Sequence, residues 1–163
     1  MLSQPDIRFL QQKIIELGSA LFFSMNNAVL KMPNTVIYAL KVDEKGQIWF
    51  MVRRPAQEIR QFDKEFPARL DFFRKGKQYF VKIHGKASII DDPEELNSIE
   101  DLPTDIKNKV MDQSVLLKVV VEHADYHEVT PGMAKNWLSL LRAQFRKWLH
   151  NFDHGNQLEP DLI

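Results

Sequence analysis

The segment that most constrains the fold is Gln78–Ile90, a long run of strand-forming residues that leads directly into a helix start at Asp91–Glu95. Apolar side chains recur at every second position, which predicts a β-strand with one buried face. Gly85 lies near its middle, and a glycine inside a strand marks a bulge or a bend of the kind that closes a barrel. Asp92 and Pro93 are typical of the cap and the first position of a helix. The sequence therefore predicts a small β-barrel with helices outside it.

Composition limits the class of protein to which the chain belongs. Its 163 residues are enough for one domain with a sizeable core. Lysine and arginine together number 22, as do aspartate and glutamate, so no net charge favours a nucleic acid or an anionic membrane. The absence of cysteine excludes disulfides and thiolate metal sites and fits a reducing compartment. With no apolar run near the roughly 20 residues that span a bilayer and no secretory signal, we expect a cytoplasmic protein without nucleic-acid or membrane partners.

Turn residues separate about six predicted strands, and both ends of the chain are predicted to be helical. Strands are expected over 20–25, 35–42, 47–52, 68–73, 78–90 and 115–121, the last continuing over 126–129 after a bend at 124–125. Helices are expected over 6–17, 58–66, 94–111 (divided by Pro103) and 132–150. This pattern predicts a single domain over 1–163, with an N-terminal helix within 1–18, a barrel with inserted helices over 20–129, a C-terminal helix over 132–150 and a polar tail over 151–163. The barrel is expected to be antiparallel.

Three segments in this order resemble the pyridoxamine 5'-phosphate oxidase-like family, and above all its general stress protein branch. They are Gly46–Val52, Phe66–Phe73 and Tyr79–Asp92. The run Val119–His127 is similar to the strand that closes the barrel in that family. The resemblance implies an α+β, mainly β fold: an antiparallel split β-barrel with flanking helices at both termini. It also implies a homodimer, with FMN bound in the groove between the subunits.

The resemblance further implies which residues lie near a flavin. The isoalloxazine would contact Tyr38, which stands where the family commonly has an arginine, and Trp49. Flavin-binding members commonly hold the phosphate with a Thr, a Ser and a Lys, and the matching positions here are Val52, Ala56 and Glu58. Valine and alanine offer no hydroxyl group, and a carboxylate repels a phosphate. The usual phosphate anchors of the family are therefore largely absent.

Two adjacent cations, Arg53 and Arg54, follow the strand and would form a compensating clamp, because arginine binds phosphate bidentately. Gln57 and Arg60 are further candidates for the phosphate site. The alternative is that both arginines are ordinary surface charges at a strand end.

Two functional hypotheses remain open at this point. In the first, the protein is a flavin-binding oxidoreductase whose redox chemistry belongs to FMN. In the second, the barrel has lost flavin and binds a small-molecule ligand or a partner. No side chain is identified as a catalytic acid or base.

The C-terminal region contains two further patterns. His150 and His154 have the spacing of a helical metal site, but they fall where the last helix should fray, so no metal site is predicted. The helix over 132–150 has an apolar face rich in aromatic residues and a basic stripe. We expect it to cover the barrel or a dimer interface rather than a membrane or a nucleic acid.

Overall fold

Seven antiparallel strands form one curled sheet, accompanied by three helices, in the computed structural model, which describes residues 3–25, 32, 34–60, 63–100 and 102–129. In chain order the elements are α1 (Gln4–Leu17), β1 (Ser19–Ser24), β2 (Thr35–Tyr38), β3 (Lys41–Val42), β4 (Ile48–Arg53), β5 (Glu65–Phe72), β6 (Tyr79–Ile90), α2 (Pro93–Ser98), α3 (Thr104–Asp112) and β7 (Ser114–Glu128). The strands lie in the order β2-β1-β5-β6-β7-β4-β3. This architecture confirms the predicted mainly β, antiparallel fold class.

The chain divides into two units, Met1–His127 and Glu128–Ile163. Nearly all of the described residues belong to the first unit. The predicted C-terminal helix over 132–150 and tail over 151–163, with His150 and His154, lie outside the described residues. Within the described ranges, no helix combines the length and the hydropathy that crossing a bilayer requires.

Helix α1 confirms the amphipathic helix predicted near the N-terminus and begins two residues earlier than predicted. Ser3 caps it, because the Ser3 hydroxyl accepts from the Asp6 backbone while the Asp6 carboxylate accepts from the Ser3 backbone. Its buried face consists of the apolar residues that the spacing predicts, Ile7, Leu10, Ile14 and Leu17. Gly18 ends the helix with a φ of 78°, a conformation that glycine adopts without steric cost.

Aromatic side chains from three strands pack together inside the barrel. The ring centroids of Phe22 and Phe50 lie 5.4 Å apart, and those of Phe22 and Phe66 lie 6.3 Å apart. All three rings are buried, and Val81 and Ile83 of β6 join them in the same core, as the alternation along that strand predicts. Burial of large apolar side chains is the main source of stability in such a core.

The barrel closes where the chain passes from β2 to β3, the two edge strands of the sheet. The single strand predicted over 35–42 is interrupted at Ala39 and Leu40. There the Leu40 N–H donates a hydrogen bond to the carbonyl oxygen of Trp49 at 2.7 Å. This bond brings the end of β2 beside β4, so the interruption in the predicted strand is the point at which the sheet turns onto its opposite edge.

Gly85 lies where the backbones of β6 and β7 meet. A Cβ atom at this position would lie 2.2 Å from the carbonyl oxygen of Val120 and 3.0 Å from Cγ1 of Val119. A contact of 2.2 Å is essentially never seen for a real Cβ, so no other residue fits without movement of the backbone. The close approach accounts for the glycine in the middle of the long strand.

Strand β7 runs without a break, so the predicted bend at 124–125 does not interrupt it. The alternation of inward- and outward-facing side chains along β7 nevertheless shifts by one residue. Val119 and Val121 pack on the barrel core, and so do Ala124 and Tyr126, which are even-numbered positions. One extra residue between Val121 and Ala124 therefore changes which face points inward, as in a β-bulge.

The helix predicted over 58–66 is wrong. The segment from Pro55 to Arg60 is irregular, and β5 begins at Glu65, where the backbone pairs with Ser88 of β6. Phe66 is 2% exposed and belongs to the barrel core. The apolar spacing over this segment suits a helix, but pairing with a strand distant in sequence overrides local preference.

A second apolar cluster lies outside the barrel, where α2 and α3 cover part of β4, β6 and β7. Pro103 divides the two helices, as predicted, and Asp92 caps the first by accepting from the Glu94 N–H at 2.7 Å. The cluster consists of Trp49, Ile90, Leu96, Leu102, Val110 and Leu116. β4 is therefore buried on both faces along most of its length.

Replacing Gly85 with alanine is expected to lower the free energy of unfolding by about 2 kcal/mol, because the added Cβ overlaps the Val120 carbonyl oxygen. Urea denaturation followed by far-UV circular dichroism measures the change. The control is His84→Ala, which removes an exposed side chain from the adjacent position and is expected to stay within about 0.5 kcal/mol of wild type. Equal stability of the two variants would contradict the steric role of Gly85.

Candidate functional site

Strand β4 carries three of the residues predicted to bind a cofactor, Trp49, Val52 and Arg53, and its side chains alternate between two packed faces. Ile48, Phe50 and Val52 point into the barrel, whereas Trp49 lies in the outer cluster. Val52 is 4% exposed, so its side chain is enclosed by the barrel core. The position that matches the hydroxyl-bearing residue of flavin-binding relatives therefore contributes packing and no polar group.

Trp49 is held by contacts within the protein. Its Nε1–H donates to Oδ2 of Asp43 at 3.0 Å, and the ammonium groups of Lys41 and Lys118 lie 5.4 Å and 5.5 Å from its ring centroid. The same Asp43 carboxylate accepts from the backbone N–H groups of Lys45 and Gln47, both at 2.9 Å, in the turn between β3 and β4. With 8% of its surface exposed, the indole has little area left for a ligand. Contact with an isoalloxazine stays a prediction.

Tyr38 differs from Trp49 in exposure although their backbones are close. It is the last residue of β2, pairs with Ser19 of β1 and is 71% exposed. Leu40, two residues later, bonds to the Trp49 carbonyl oxygen. Tyr38 thus presents a phenol ring on the outside of the barrel near β4, where a ligand or another chain can reach it.

The two predicted clamp residues, Arg53 and Arg54, have different surroundings. Arg53 ends β4, pairs with Ser114 of β7 and is exposed. Arg54 is partly buried, and its guanidinium lies 3.4 Å from the Val110 carbonyl oxygen and 3.5 Å from that of Ser114. Its backbone N–H also donates to the Gln113 carbonyl oxygen at 2.9 Å. Arg54 therefore ties the end of β4 to the start of β7, and Arg53 is the better placed of the two to meet an anion.

The irregular segment that follows β4 presents the remaining predicted residues to solvent. Gln57 and Glu58 are exposed, while the neighbouring Ile59 packs against the barrel core and holds the segment in place. The charged groups exposed here are the guanidinium groups of Arg53 and Arg60, which attract a phosphate, and the Glu58 carboxylate, which repels it.

A cluster of polar side chains lies between α1 and β6, and no pattern in the sequence predicts it. The Tyr79 hydroxyl donates to the Glu16 carboxylate, and the same carboxylate lies 3.7 Å from Lys13 Nζ and 3.8 Å from Lys77 Nζ. Burial and the bond to Glu16 raise the pKa of Tyr79 to about 12. The bond from Tyr79 lowers the pKa of the Glu16 carboxyl group. No short-range pattern connects residues so far apart in the chain.

Comparison with known proteins agrees with the resemblance found in the sequence. The family model described as pyridoxamine 5'-phosphate oxidase like matches residues 37–149. No curated protein is significantly similar to the chain in sequence.

Several solved structures have the same fold. The general stress FMN/FAD binding protein from Xanthomonas citri has a TM-score of 0.53 at 17% identity, over 76% of this chain and 91% of its own. A Clostridium acetobutylicum protein related to general stress protein 26 of B. subtilis, of the pyridoxinephosphate oxidase family, has a TM-score of 0.56 at 14% identity, over 76% of this chain and 90% of its own. At such identities the matches establish the fold alone, and they confirm the predicted split barrel.

The phenol of Tyr79 is expected to titrate near pH 12 in the folded protein, whereas its ordinary pKa is 10.0. Because the folded-state pKa is the higher one, the stability that this group contributes is present below about pH 10 and is lost as the pH rises towards 12. The difference in phenolate absorbance between wild type and Tyr79→Phe, recorded against pH, gives the midpoint directly. Glu16→Gln should move that midpoint back towards the ordinary value. A wild-type midpoint near 10 would contradict the assignment.

Proposed function

Because the chain belongs to the pyridoxamine 5'-phosphate oxidase-like family, we propose that it is an FMN-binding split-barrel protein that acts as an oxidoreductase. The observation that carries the proposal is the exposed guanidinium of Arg53 at the end of β4, beside the position where flavin-binding relatives begin their phosphate site. When bound, FMN supplies hydride and electron transfer. The protein would supply binding and orientation. The homodimer implied by the resemblance and the cytoplasmic location remain predictions.

The residues at the end of β4 fit an FMN phosphate in one respect. Arg53 is the cation that would pair with the phosphate, and the exposed Gln57 stands a few residues further along the chain. Arg54 would act indirectly, because its contacts with the carbonyl oxygens of Val110 and Ser114 hold the end of β4. Arg53 and the exposed Arg60 are not accompanied by hydroxyl groups at the positions of the Thr and Ser, so we expect weaker binding of FMN than in relatives that keep the Thr, Ser and Lys set.

A second candidate function is a split barrel that has lost flavin and binds another ligand or a partner. Two observations favour it. Val52 is enclosed by the core, and its side chain has no donor that could bind the phosphate. Glu58 is an exposed carboxylate at the position that matches the lysine of flavin-binding relatives, and it would repel the phosphate.

Replacing Glu58 with lysine separates the two candidates. Under the first, Glu58→Lys should tighten FMN binding by about tenfold, because a repulsive charge becomes an attractive one. Riboflavin, which lacks the phosphate, should bind wild type and variant equally. Quenching of flavin fluorescence measures both affinities. Glu44→Lys, which makes the same charge change in the exposed turn between β3 and β4, is the control. If FMN binds neither wild type nor Glu58→Lys, the flavin-free candidate is correct.

Replacing Arg53 with alanine should weaken FMN binding by about tenfold and leave riboflavin binding unchanged. The matched control is Arg8→Ala, which removes an exposed arginine from α1. Isothermal titration at fixed ionic strength gives both affinities. Equal FMN affinities of Arg53→Ala and Arg8→Ala would remove Arg53 from the phosphate site.

A further inference from the structure

A cavity of about 300 Å³ lies between α1 and the strands β6 and β7. This volume is at the lower end of the range found for small-molecule sites. Its walls are formed by Phe9, Leu10 and Lys13 of α1, Val81 of β6, and Ala124 and Tyr126 of β7, with Asp6 at one side. None of these residues belongs to the group at the end of β4 proposed to contact FMN.

Aromatic rings provide much of the apolar surface around the cavity. Phe9 and Tyr126 meet edge to face with centroids 5.2 Å apart and an interplanar angle of 76°, and Tyr79 lies 5.5 Å from Tyr126. Phe9 is nevertheless 46% exposed. A large exposed aromatic side chain beside a cavity offers a ring surface against which a flat apolar molecule can pack.

A cation lies among these rings. Lys13 Nζ is 4.5 Å from the ring centroid of Tyr79, 5.6 Å from that of Phe9 and 5.8 Å from that of Tyr126. Cation–π attraction holds the ammonium group at the aromatic wall, where its side chain is only 18% exposed. Lys13 is thus a pre-positioned charge at the edge of an apolar space.

The charges around the cavity have a positive excess at the Lys13 end. Among the described residues, Glu16 is the carboxylate that pairs with Lys13, and it is shared with Lys77 and with the Tyr79 hydroxyl. The guanidinium of Arg74 donates to the Glu16 backbone carbonyl oxygen at 3.0 Å and adds another positive charge. Asp6, at the other side of the cavity, is bound in the capping box with Ser3. An anionic group is therefore favoured beside Lys13 and disfavoured beside Asp6.

We propose that this cavity is a second binding site, separate from that for FMN, and that it takes a small aromatic carboxylate. The ring of the ligand packs against Phe9 and Tyr126, and its carboxylate pairs with Lys13. The aromatic wall selects a flat apolar body, and the positive excess around Glu16 selects a single negative charge at one end.

The probes that test this proposal are 2-naphthoate and its neutral analogue 2-naphthamide. Isothermal titration should give saturable binding of 2-naphthoate to wild type, at least about tenfold tighter than binding of 2-naphthamide. Lys13→Met should remove that preference by weakening 2-naphthoate alone. Lys45→Met removes an equal charge from the exposed turn between β3 and β4 and should leave both affinities unchanged.

A variant at an exposed position keeps the test independent of any loss of folding in Lys13→Met. Phe9→Ala should weaken both probes by a similar factor of about tenfold, because the ring contact is lost and the charge is kept. Saturating FMN should leave the affinity for 2-naphthoate unchanged within about twofold, because the sites are separate. The proposal is overturned if 2-naphthoate does not bind, if both probes bind equally, if Lys13→Met or Phe9→Ala has no effect, or if FMN competes.

Discussion

The close contact of two backbones at Gly85 is the constraint on which the arrangement of the barrel depends. Along the sheet, β2, β1, β5 and β6 form one group of strands and β7, β4 and β3 form the other; they are joined where β6 meets β7 and, at the opposite edges, by the bond from Leu40 to Trp49. At Gly85 the space for a Cβ atom is occupied by the Val120 carbonyl oxygen. The distance between the two groups is therefore set by backbone atoms. The position of β4, and of every residue at its end, relative to the core of β1 and β5 follows from that distance.

The burial of β4 on both faces explains why the candidate site begins where it does. Phe50 and Val52 are fixed in the barrel core, and Trp49 is fixed in the cluster under α2 and α3. A strand held from both sides cannot rotate or slide without losing contacts in one core or the other. Arg53 and the segment after it are the first residues beyond this double packing. They combine a fixed starting point with exposure, which is what a ligand-binding position requires.

Local pattern was sufficient for the elements whose determinants lie close together in the chain. The spacing of Ile7, Leu10, Ile14 and Leu17 predicts α1, and the alternation around Gly85 predicts β6, whereas the contact of Gly85 with Val120 is visible only in the structure. The segment over 58–66 was predicted incorrectly because its secondary structure depends on the pairing of Glu65 with Ser88, which lies on a different strand. Composition alone also gave no indication that Phe66 would enter the barrel core.

The candidate site likewise combines features that local pattern predicts with features that depend on contacts between distant segments. The apolar run of β4 predicts burial on both faces, and the resemblance to the family indicates the end of that strand as a binding position. Neither indicates that Asp43 accepts a hydrogen bond from the Trp49 indole N–H. Neither indicates that Arg54 donates hydrogen bonds to the carbonyl oxygens of Val110 and Ser114. The group formed by Lys13, Glu16 and Tyr79 joins α1 to β6, so it becomes visible only when the fold brings these elements together.

The extra residue in β7 has a consequence for how this chain can diverge from its relatives. Beyond Ala124 the strand keeps Tyr126 inward, beside α1, and His127 outward, where its ring stacks on Phe80 with centroids 4.6 Å apart. With strict alternation from Val121, the imidazole would line the inside and the phenol would face out. Loss of the Asp125 codon would exchange the two surfaces at once, because Tyr126 would then directly follow the inward Ala124 and point outward, with His127 inward. No single substitution could do so, because the chemistry of both faces is set by residue count and not only by residue type.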